Sequence, residues 1–261
     1  MEKRAPGDRM PATVVIPARF SSTRFPGKPL VSILGRPMVE HVYRRAEAAR
    51  KASSVWVATD DERIARAVQE FGGKVVMTSK SHPTGTHRVL EAAKLVGGDL
   101  VVNLQADEPL IAPEQIDAVI DALENDPHAD LATLCRWTWD QEEIEDPNCV
   151  KVVMDHKWMA LYFSRSPIPH LRAEKAQGHR SAQPLRRGAW IHIGLYAYCR
   201  RAMEVIPLLP PCPWEDAEGL EQLRFLHWGL RIKVAPSNIR TIGVDVPEDV
   251  PKVERLLKEG K

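Results

Sequence analysis

Apolar and polar positions along the first half of the chain follow two alternating patterns, one typical of buried strands and one typical of amphipathic helices. The run from Thr13 to Ala18 is short, apolar and rich in β-branched residues, which predicts a buried first strand. Apolar residues then recur at three- and four-residue spacing from Met38 to Ala49, which predicts an amphipathic helix. The alternation continues with predicted strands at 54–59, 74–77 and 99–105 and with predicted helices from 60 to 72, from about 88 and from 113.

Strands that alternate with helices predict an α/β fold, in which right-handed crossovers build a mostly parallel, twisted sheet flanked by helices on both faces. Beyond about residue 129 the pattern changes. Strand-like runs follow at 131–139, 150–155, 158–164 and 189–198 without a crossover-length helix between every pair. This change predicts antiparallel additions or an inserted antiparallel region at about 130–200. Two further helices are predicted at 215–228 and 247–258.

The chain of 261 residues is long enough to bury a full hydrophobic core without disulfides or a structural metal. We expect residues 1–12 to be a short disordered extension and residues 13–261 to form one domain that contains the antiparallel region. The net charge of +1 lacks the basic excess that nucleic-acid binding usually needs, and no apolar run approaches the ~18 residues of a membrane span. Four separated cysteines without a C-x-x-C pair indicate reduced thiols and a cytoplasmic location.

Three cations, Arg19, Arg24 and Lys28, lie within ten residues directly after the first predicted strand. Ligands bind at the carboxyl ends of strands in such sheets, so this loop is a candidate site. Basic side chains neutralise phosphate oxygens and backbone N–H groups complete the shell, which predicts a triphosphate cradle. It is not a Walker A loop, because Ser22 replaces the first glycine and Pro29 follows the lysine where Ser or Thr is needed. The alternative is an exposed basic loop.

Two aspartates that are distant in the chain are predicted to reach the same edge of the sheet. Asp107 closes the apolar strand 100–104, and Asp245 follows the strand-like stretch 240–244. Magnesium prefers hard oxygen ligands and normally takes one or two carboxylates together with phosphates and water, a set that these aspartates fit. The alternative is that each aspartate is a helix N-cap, because prolines that introduce helices follow both of them.

The cationic loop resembles the signature of nucleotide-sugar pyrophosphorylases, and more closely that of the 3-deoxy-manno-octulosonate (Kdo) cytidylyltransferases, also called CMP-Kdo synthetases. Further segments fit the same family: Thr84–Arg88, Asn103–Pro109, Ala160–Arg165, His192–Tyr196, Leu220–Arg224 and Gly243–Asp249. One such match is weak, whereas six in order across nearly the whole chain are highly specific. The resemblance implies the Rossmann-like fold of nucleotide-diphospho-sugar transferases.

The resemblance implies an enzyme that joins CTP and Kdo to give CMP-Kdo and pyrophosphate, for lipopolysaccharide biosynthesis. The anomeric hydroxyl of the sugar attacks the α-phosphorus, so the rate comes from in-line positioning and electrostatic stabilisation. The implied catalytic groups are Arg19, Arg24 and Lys28 on the triphosphate, with Asp107 and Asp245 on a magnesium ion (Mg²⁺) that bridges phosphate to the attacking hydroxyl. The family also implies a homodimer, formed through the strand near 189–198.

The resemblance further assigns residues to each substrate. On the CTP side they are Arg19, Arg24, Lys28, Thr84, Gly85, Thr86, Arg88, Gln105 and Asp107, and on the sugar side they are Arg165, His192, Tyr196, Glu221 and Gln222. An arginine can grip a carboxylate with two hydrogen bonds, while Tyr, His, Glu and Gln suit sugar hydroxyls. The alternatives are that His192 and Tyr196 are packed core residues and that Glu221 and Gln222 belong to a solvated helix face.

The sequence departs from the family pattern at four positions. Ala106 stands where glycine is usual, Thr84 where serine is usual, His87 where an acidic residue is usual, and Val246 where threonine is usual. None of these removes a predicted ligand, but they leave room for a variant acidic sugar such as 8-amino-Kdo or a nonulosonic acid. A non-catalytic nucleotide-binding protein is an alternative of a different class, and the intact cations and aspartates argue against it.

Overall fold

The computed structural model describes residues 11–21, 25–170 and 188–259. Arg24 and most of the extension predicted at 1–12 lie outside these ranges, although Ala12 is already the first residue of a strand. The strands are β1 (Ala12–Ala18), β2 (Ser32–Ile33), β3 (Arg36–Pro37), β4 (Ala52–Thr59), β5 (Val75–Met77), β6 (Leu100–Asn103), β7 (Leu131–Thr138), β8 (Lys151–Met154), β9 (Ala160–Ser164), β10 (Ala189–Cys199) and β11 (Ile232–Pro236).

Helices occur in both halves of the described chain. They are α1 (Met38–Glu47), α2 (Glu62–Glu70), α3 (Gly85–Val96), α4 (Pro113–Glu124), α5 (Gln141–Glu145), α6 (Arg200–Val205), α7 (Pro213–Glu218), α8 (Gln222–His227) and α9 (Val250–Lys258), with single 3-10 turns at Lys28–Leu30, Ile206–Leu208 and Pro247–Asp249. Within the described ranges, none of these helices combines the length and the apolar character needed to cross a membrane.

Nine of the strands form one sheet, and β2 and β3 form a separate two-stranded ribbon. The main order is β11-β7-β10-β6-β1-β4-β5. β1 is parallel to both of its neighbours, β4 is parallel to β5, and β11 is parallel to β7. β10 is antiparallel to β6, β7 and β8, and β9 is antiparallel to β8. The predicted α/β class with an antiparallel region is therefore confirmed, and the antiparallel strands are additions to the same sheet.

The central strand β1 is buried along its whole length, because helices cover the sheet on both sides. Successive residues of β1 point to opposite faces: Val14 and Ile16 pack with α1, α2 and α4, whereas Val15 packs with α3, α6 and α8. With both faces occupied by apolar packing, the open place for polar chemistry is the carboxyl edge of the strands.

Two predicted elements differ from the structure near this edge. Helix α3 begins at Gly85 rather than near residue 88, because the Thr84 hydroxyl caps it by accepting a hydrogen bond from the His87 backbone N–H. The stretch 240–244, expected as a strand, has no regular structure, since the Val244 N–H donates to the Asp107 carbonyl rather than to a neighbouring strand. The strand in this part of the chain is β11, which the sequence pattern did not reveal.

The helix predicted at 215–228 is wrong as a single element, because it divides into α7 and α8 at Gly219. Gly219 adopts the left-handed conformation (φ 62°, ψ 39°), and its N–H closes α7 on the Glu215 carbonyl at 2.7 Å. Only glycine takes this conformation without steric cost. The break turns the chain so that Glu221 stands at the start of α8.

We expect Gly219→Ala to lower the free energy of unfolding by about 1 kcal/mol, because a Cβ is strained in the left-handed region. Urea unfolding followed by circular dichroism measures the change. Gly194→Ala is the matched control, since its added methyl group meets no atom within 4 Å and its φ is ordinary. Equal stability of the two variants would contradict this account of the break.

Candidate active site

Lys28 joins the two aspartates that the sequence predicts at the carboxyl edge. The loop after β1 leads to Lys28, and its ammonium lies 2.5 Å from Asp107 Oδ2 and 3.7 Å from Asp245 Oδ1. The Lys28 side chain is 14% exposed, so the pair is not a fully solvated surface contact. The structure thus brings together one of the three predicted cations with both predicted metal carboxylates. Arg19 is exposed at the end of β1, and Arg24 lies outside the described residues.

Neither aspartate is a helix N-cap, so the alternative interpretation of both is wrong. The residue that caps α4 is Ala112, and the residue before the turn Pro247–Asp249 is Val246. The Asp249 carboxylate receives the backbone N–H groups of Asp245 and Val246, at 2.9 and 3.1 Å. This leaves the Asp245 carboxylate directed to the edge, where its side chain is 62% exposed.

Glu108 is a third carboxylate at this edge, and the sequence analysis did not assign it a role. Burial, together with the charges of Asp107 and Asp245, raises its pKa to about 7. Its Oε2 atom has no hydrogen-bond partner among the described residues. The only signal in the sequence is its place directly after Asp107, which cannot show that its side chain turns inward.

The edge concentrates negative charge in a way that fits a divalent cation. Burial is the main reason that the pKa of Glu108 is raised, and the charges of Asp107 and Asp245 raise it further while that of Lys28 lowers it. No group of three or more His, Cys, Asp or Glu residues arranged to hold a metal occurs in the described part of the chain. Two carboxylates with open positions for phosphate and water suit magnesium better than a closed site would.

A second polar group, the Glu221 pocket, comprises Thr84, Thr86, Glu221 and Arg224. The Thr84 hydroxyl donates to Glu221 Oε1 at 3.1 Å, and the Thr86 hydroxyl donates to Glu221 Oε2. Arg224 pairs with the same carboxylate at 3.0 Å. The structure therefore joins two residues predicted for the nucleotide to one predicted for the sugar, and Glu221 does not lie on a solvated face.

His192 and Tyr196 lie beside this pocket on the same face of β10. His192 Nε2 is 2.9 Å from the Thr133 hydroxyl, and its ring contacts Phe163 and Tyr196. Burial lowers the pKa of His192 to about 3, so the ring is neutral near pH 7. Burial, Tyr198 and Glu221 raise the pKa of Tyr196 well above its usual value. Gln222, the residue after Glu221, is also buried rather than solvated.

Gln105 is held in one orientation by a neighbouring amide. Its Nε2 donates to Asn103 Oδ1 at 3.0 Å, and Asn103 Nδ2 donates in turn to the Tyr198 hydroxyl at 3.4 Å. The position that a Cβ on Gly85 would take is 3.8 Å from Gln105 Oε1. The predicted nucleotide residues Gly85 and Gln105 are therefore close together, and Asn103 is a supporting residue that the sequence did not reveal.

Two predicted arginines are engaged elsewhere. Arg88 is buried, and its guanidinium donates to the Thr78 hydroxyl at 2.6 Å and pairs with Asp60 at 3.2 Å. Arg165 donates from Nε to the Glu218 carbonyl at 2.6 Å and from Nη1 to the Pro147 carbonyl at 2.9 Å. The Arg88 guanidinium is therefore bound to Thr78 and Asp60, and part of the Arg165 guanidinium holds the end of α7.

A cationic loop and two carboxylates at the carboxyl edge of a mostly parallel sheet are the parts that a nucleotidyltransferase needs. The model of the family described as cytidylyltransferase matches residues 13–232. The chain belongs to the cytidylyltransferase family and is a nucleotidyltransferase.

Individual relatives are similar over nearly the whole chain. A 3-deoxy-manno-octulosonate cytidylyltransferase of Geobacter sulfurreducens is 47% identical over 253 residues, which cover 95% of this chain and 100% of the relative. An 8-amino-3,8-dideoxy-manno-octulosonate cytidylyltransferase of Shewanella oneidensis is 47% identical over 252 residues, covering 95% and 99%. A solved structure of CMP:2-keto-3-deoxy-manno-octonic acid synthetase complexed with CTP superposes with a TM-score of 0.87 at 41% identity, covering 96% and 100%.

We expect the stability gained by Glu108→Gln to grow as the pH rises from about 4.5 to about 7. The folded protein binds the Glu108 proton more tightly than the unfolded chain does, so the wild type loses this stability as the pH rises through the raised pKa. The amide does not ionise, and the difference should reach the order of 3 kcal/mol. Urea unfolding in EDTA at several pH values measures it, with the exposed Glu248→Gln as control. A pH-independent difference would contradict the raised pKa.

Proposed function

We propose that this chain transfers the cytidylyl group of CTP to Kdo, giving CMP-Kdo and pyrophosphate. The observation that carries the proposal is the meeting of Asp107 and Asp245 at the Lys28 ammonium. In the reaction a bond forms between the anomeric oxygen of Kdo and the α-phosphorus. The bond from that phosphorus to the bridging oxygen breaks, pyrophosphate leaves with the electron pair, and the anomeric hydroxyl loses its proton.

Asp107 and Asp245 are the residues that would hold magnesium, because both are oxygen ligands at one edge and both keep part of their surface exposed. When bound, such an ion supplies positive charge for the phosphate oxygens and lowers the pKa of the attacking hydroxyl. Lys28 has three N–H donors, so it can interact with both aspartates and still donate to a phosphate oxygen. Arg19 and Arg24 complete the cationic loop in this proposal.

Gln105, Gly85 and the Thr84–Thr86 turn are proposed to read the cytosine and ribose of CTP. The hydrogen bond to Asn103 fixes the amide of Gln105, so it presents a defined acceptor to a ligand. A group that is oriented before binding loses less conformational entropy when the ligand arrives. In this proposal Arg88 stabilises the turn through its ion pair with Asp60 and does not contact phosphate.

Glu221, Gln222, His192 and Tyr196 are proposed to bind the hydroxyl groups of the sugar. The rings of His192 and Tyr196 contact each other, and a neutral His192 can accept or donate a hydrogen bond to a hydroxyl. Arg165 is the proposed partner of the sugar carboxylate, since each of its terminal nitrogens carries an N–H beyond the one that a backbone carbonyl takes.

A variant sugar is the second candidate, because the Kdo and 8-amino-Kdo relatives are equally similar to this chain, at 47% identity. The four departures from the family pattern do not decide between them. Thr84 caps α3 as a serine would, and His87 lies against its hydroxyl, with Nδ1 at 2.9 Å. Ala106 is buried in the core, and Val246 has no hydroxyl to cap the turn that follows it, although its backbone N–H donates to the Asp249 carboxylate.

We also propose a cytoplasmic homodimer that supplies lipopolysaccharide synthesis. The predicted dimer strand β10 carries Trp190, which packs edge-on against Trp137 at 5.1 Å between ring centroids. Trp137 packs in turn against Trp139, and these two side chains are 41% and 56% exposed. Large exposed aromatic rings that touch one another are typical of surfaces buried by a partner.

A pyrophosphate-release assay tests the sugar and the nucleotide together. Each of the four nucleoside triphosphates is paired with Kdo, 8-amino-Kdo and sialic acid in the presence of magnesium. We expect turnover with CTP and Kdo. Turnover with the 8-amino sugar alone would select the variant, with sialic acid alone the nonulosonic alternative, and CTP binding without turnover the non-catalytic alternative.

We expect Asp107→Ala and Asp245→Ala each to lower the rate of pyrophosphate release by at least about 100-fold, because each removes a carboxylate from the proposed metal site. The thermal midpoint should stay close to that of the wild type, since neither side chain lies in the apolar core. Glu248→Ala is the neighbouring control, because Glu248 is an exposed carboxylate of the same turn that is not proposed as a metal ligand. Unchanged turnover in either aspartate variant would refute the metal assignment.

A further inference from the structure

Gly243 approaches the Asp107–Glu108 turn more closely than a residue with a side chain usually does. The position that a Cβ on Gly243 would take lies 3.3 Å from the Asp107 carbonyl oxygen and 3.3 Å from Glu108 Oε1. Its φ is not in the left-handed region. The glycine is therefore needed for space and not for backbone conformation, in contrast to Gly219.

This close approach controls where Asp245 stands. The next residue, Val244, donates its N–H to the Asp107 carbonyl at 2.9 Å, and its side chain is buried against Ile33 and Val253. Asp245 follows directly, with its carboxylate 3.7 Å from the Lys28 ammonium. A methyl group on Gly243 would be crowded against the Asp107 carbonyl oxygen and Glu108, and relief of this crowding requires shifts of a few tenths of an ångström. We expect the Gly243 segment to take part of this shift and Asp245 to move with it.

We propose that Gly243 and Glu108 are positioning residues, which set the separation of the Asp107 and Asp245 carboxylates and thereby the affinity for the divalent cation. Gly243 lies against the largely buried side chain of Glu108. Neither residue is proposed to contact a substrate. The inference rests on the proposed function, because it takes the two aspartates as metal ligands. Magnesium demands near-ideal octahedral geometry at about 2.0–2.1 Å, so small shifts between its carboxylates matter.

Gly243→Ala tests the proposal. We expect the magnesium concentration for half-maximal pyrophosphate release to rise about tenfold, as for other residues that orient metal ligands. At saturating magnesium, kcat should largely recover and the KM for Kdo should stay unchanged. The thermal midpoint in EDTA should match that of Gly194→Ala, the control in which the added methyl group meets nothing within 4 Å.

A direct cation measurement gives a readout besides activity. Manganese is titrated into protein in excess over CTP, and the free ion is followed by its electron paramagnetic resonance signal. We expect Gly243→Ala to bind manganese about tenfold more weakly than the wild type and than Gly194→Ala. Equal affinities in the three proteins would overturn the proposal. If the wild type binds manganese but releases no pyrophosphate with any sugar, the proposed function fails while the positioning claim is still decided by this titration.

A second variant isolates the contact with Glu108. In the double variant Glu108→Ala/Gly243→Ala one of the two neighbours at 3.3 Å is removed, so the new methyl group has room on that side. We expect its loss of manganese affinity to be smaller than the product of the losses in the two single variants. Independent effects would overturn the role of Glu108. If Gly243→Ala does not fold, Glu108→Ala alone decides, because an unchanged affinity in that variant would contradict the proposal.

Discussion

The contact on which the site depends is the ammonium of Lys28 between Asp107 and Asp245. Two carboxylates repel each other when they share one edge, so a cation must stand beside them for the edge to be stable. The three side chains come from the loop after β1, the turn after β6 and the segment before α9. Two ion pairs that share one ammonium group therefore join the beginning, the middle and the end of the sequence at one place on the sheet.

The burial of Glu108 shows that this charge balance is incomplete in the protein itself. A third carboxylate, largely removed from water and beside two others, ionises only with difficulty. Arg88 and Asp60 show the opposite arrangement below the site, where a buried guanidinium has its carboxylate partner within 3.2 Å. The three carboxyl groups near Lys28 could be neutralised by a further positive charge, whereas the Arg88–Asp60 pair is already neutral.

Much of the fold was predictable because its signals are local. The apolar run of β1 and the helical spacing of α1 reflect burial on two faces and on one face, which the order of residues records directly. Asp107 and Asp245 were predicted from their places after β-like runs and from the family resemblance, although the run before Asp245 is not a strand. The helix break at Gly219 was missed because the flanking residues all suit a helix.

The rest of the site was beyond sequence reasoning because it consists of contacts between distant residues. Thr84 and Glu221 are each unremarkable in their own segments, and their hydrogen bond exists only once α3 and α8 are packed. The burial of the Glu108 side chain and the short distance between Gly243 and the Asp107–Glu108 turn likewise depend on contacts between residues distant in the sequence. The engagement of Arg165 by carbonyl groups likewise follows from where α7 ends, which the sequence did not indicate.

Thr84, Thr86 and Arg224 all bond to the Glu221 carboxylate, so this carboxylate already has hydrogen-bond partners before any ligand arrives. A ligand that binds here must replace hydrogen bonds that these hydroxyls already make. The net free energy gained from each polar contact is therefore small. A ligand without equivalent donors and acceptors leaves the Glu221 carboxylate without hydrogen-bond partners in the bound state. Such a pocket discriminates between ligands mainly because a ligand with the wrong polar groups binds at a cost in free energy. The ligand with matching groups binds with only modest affinity.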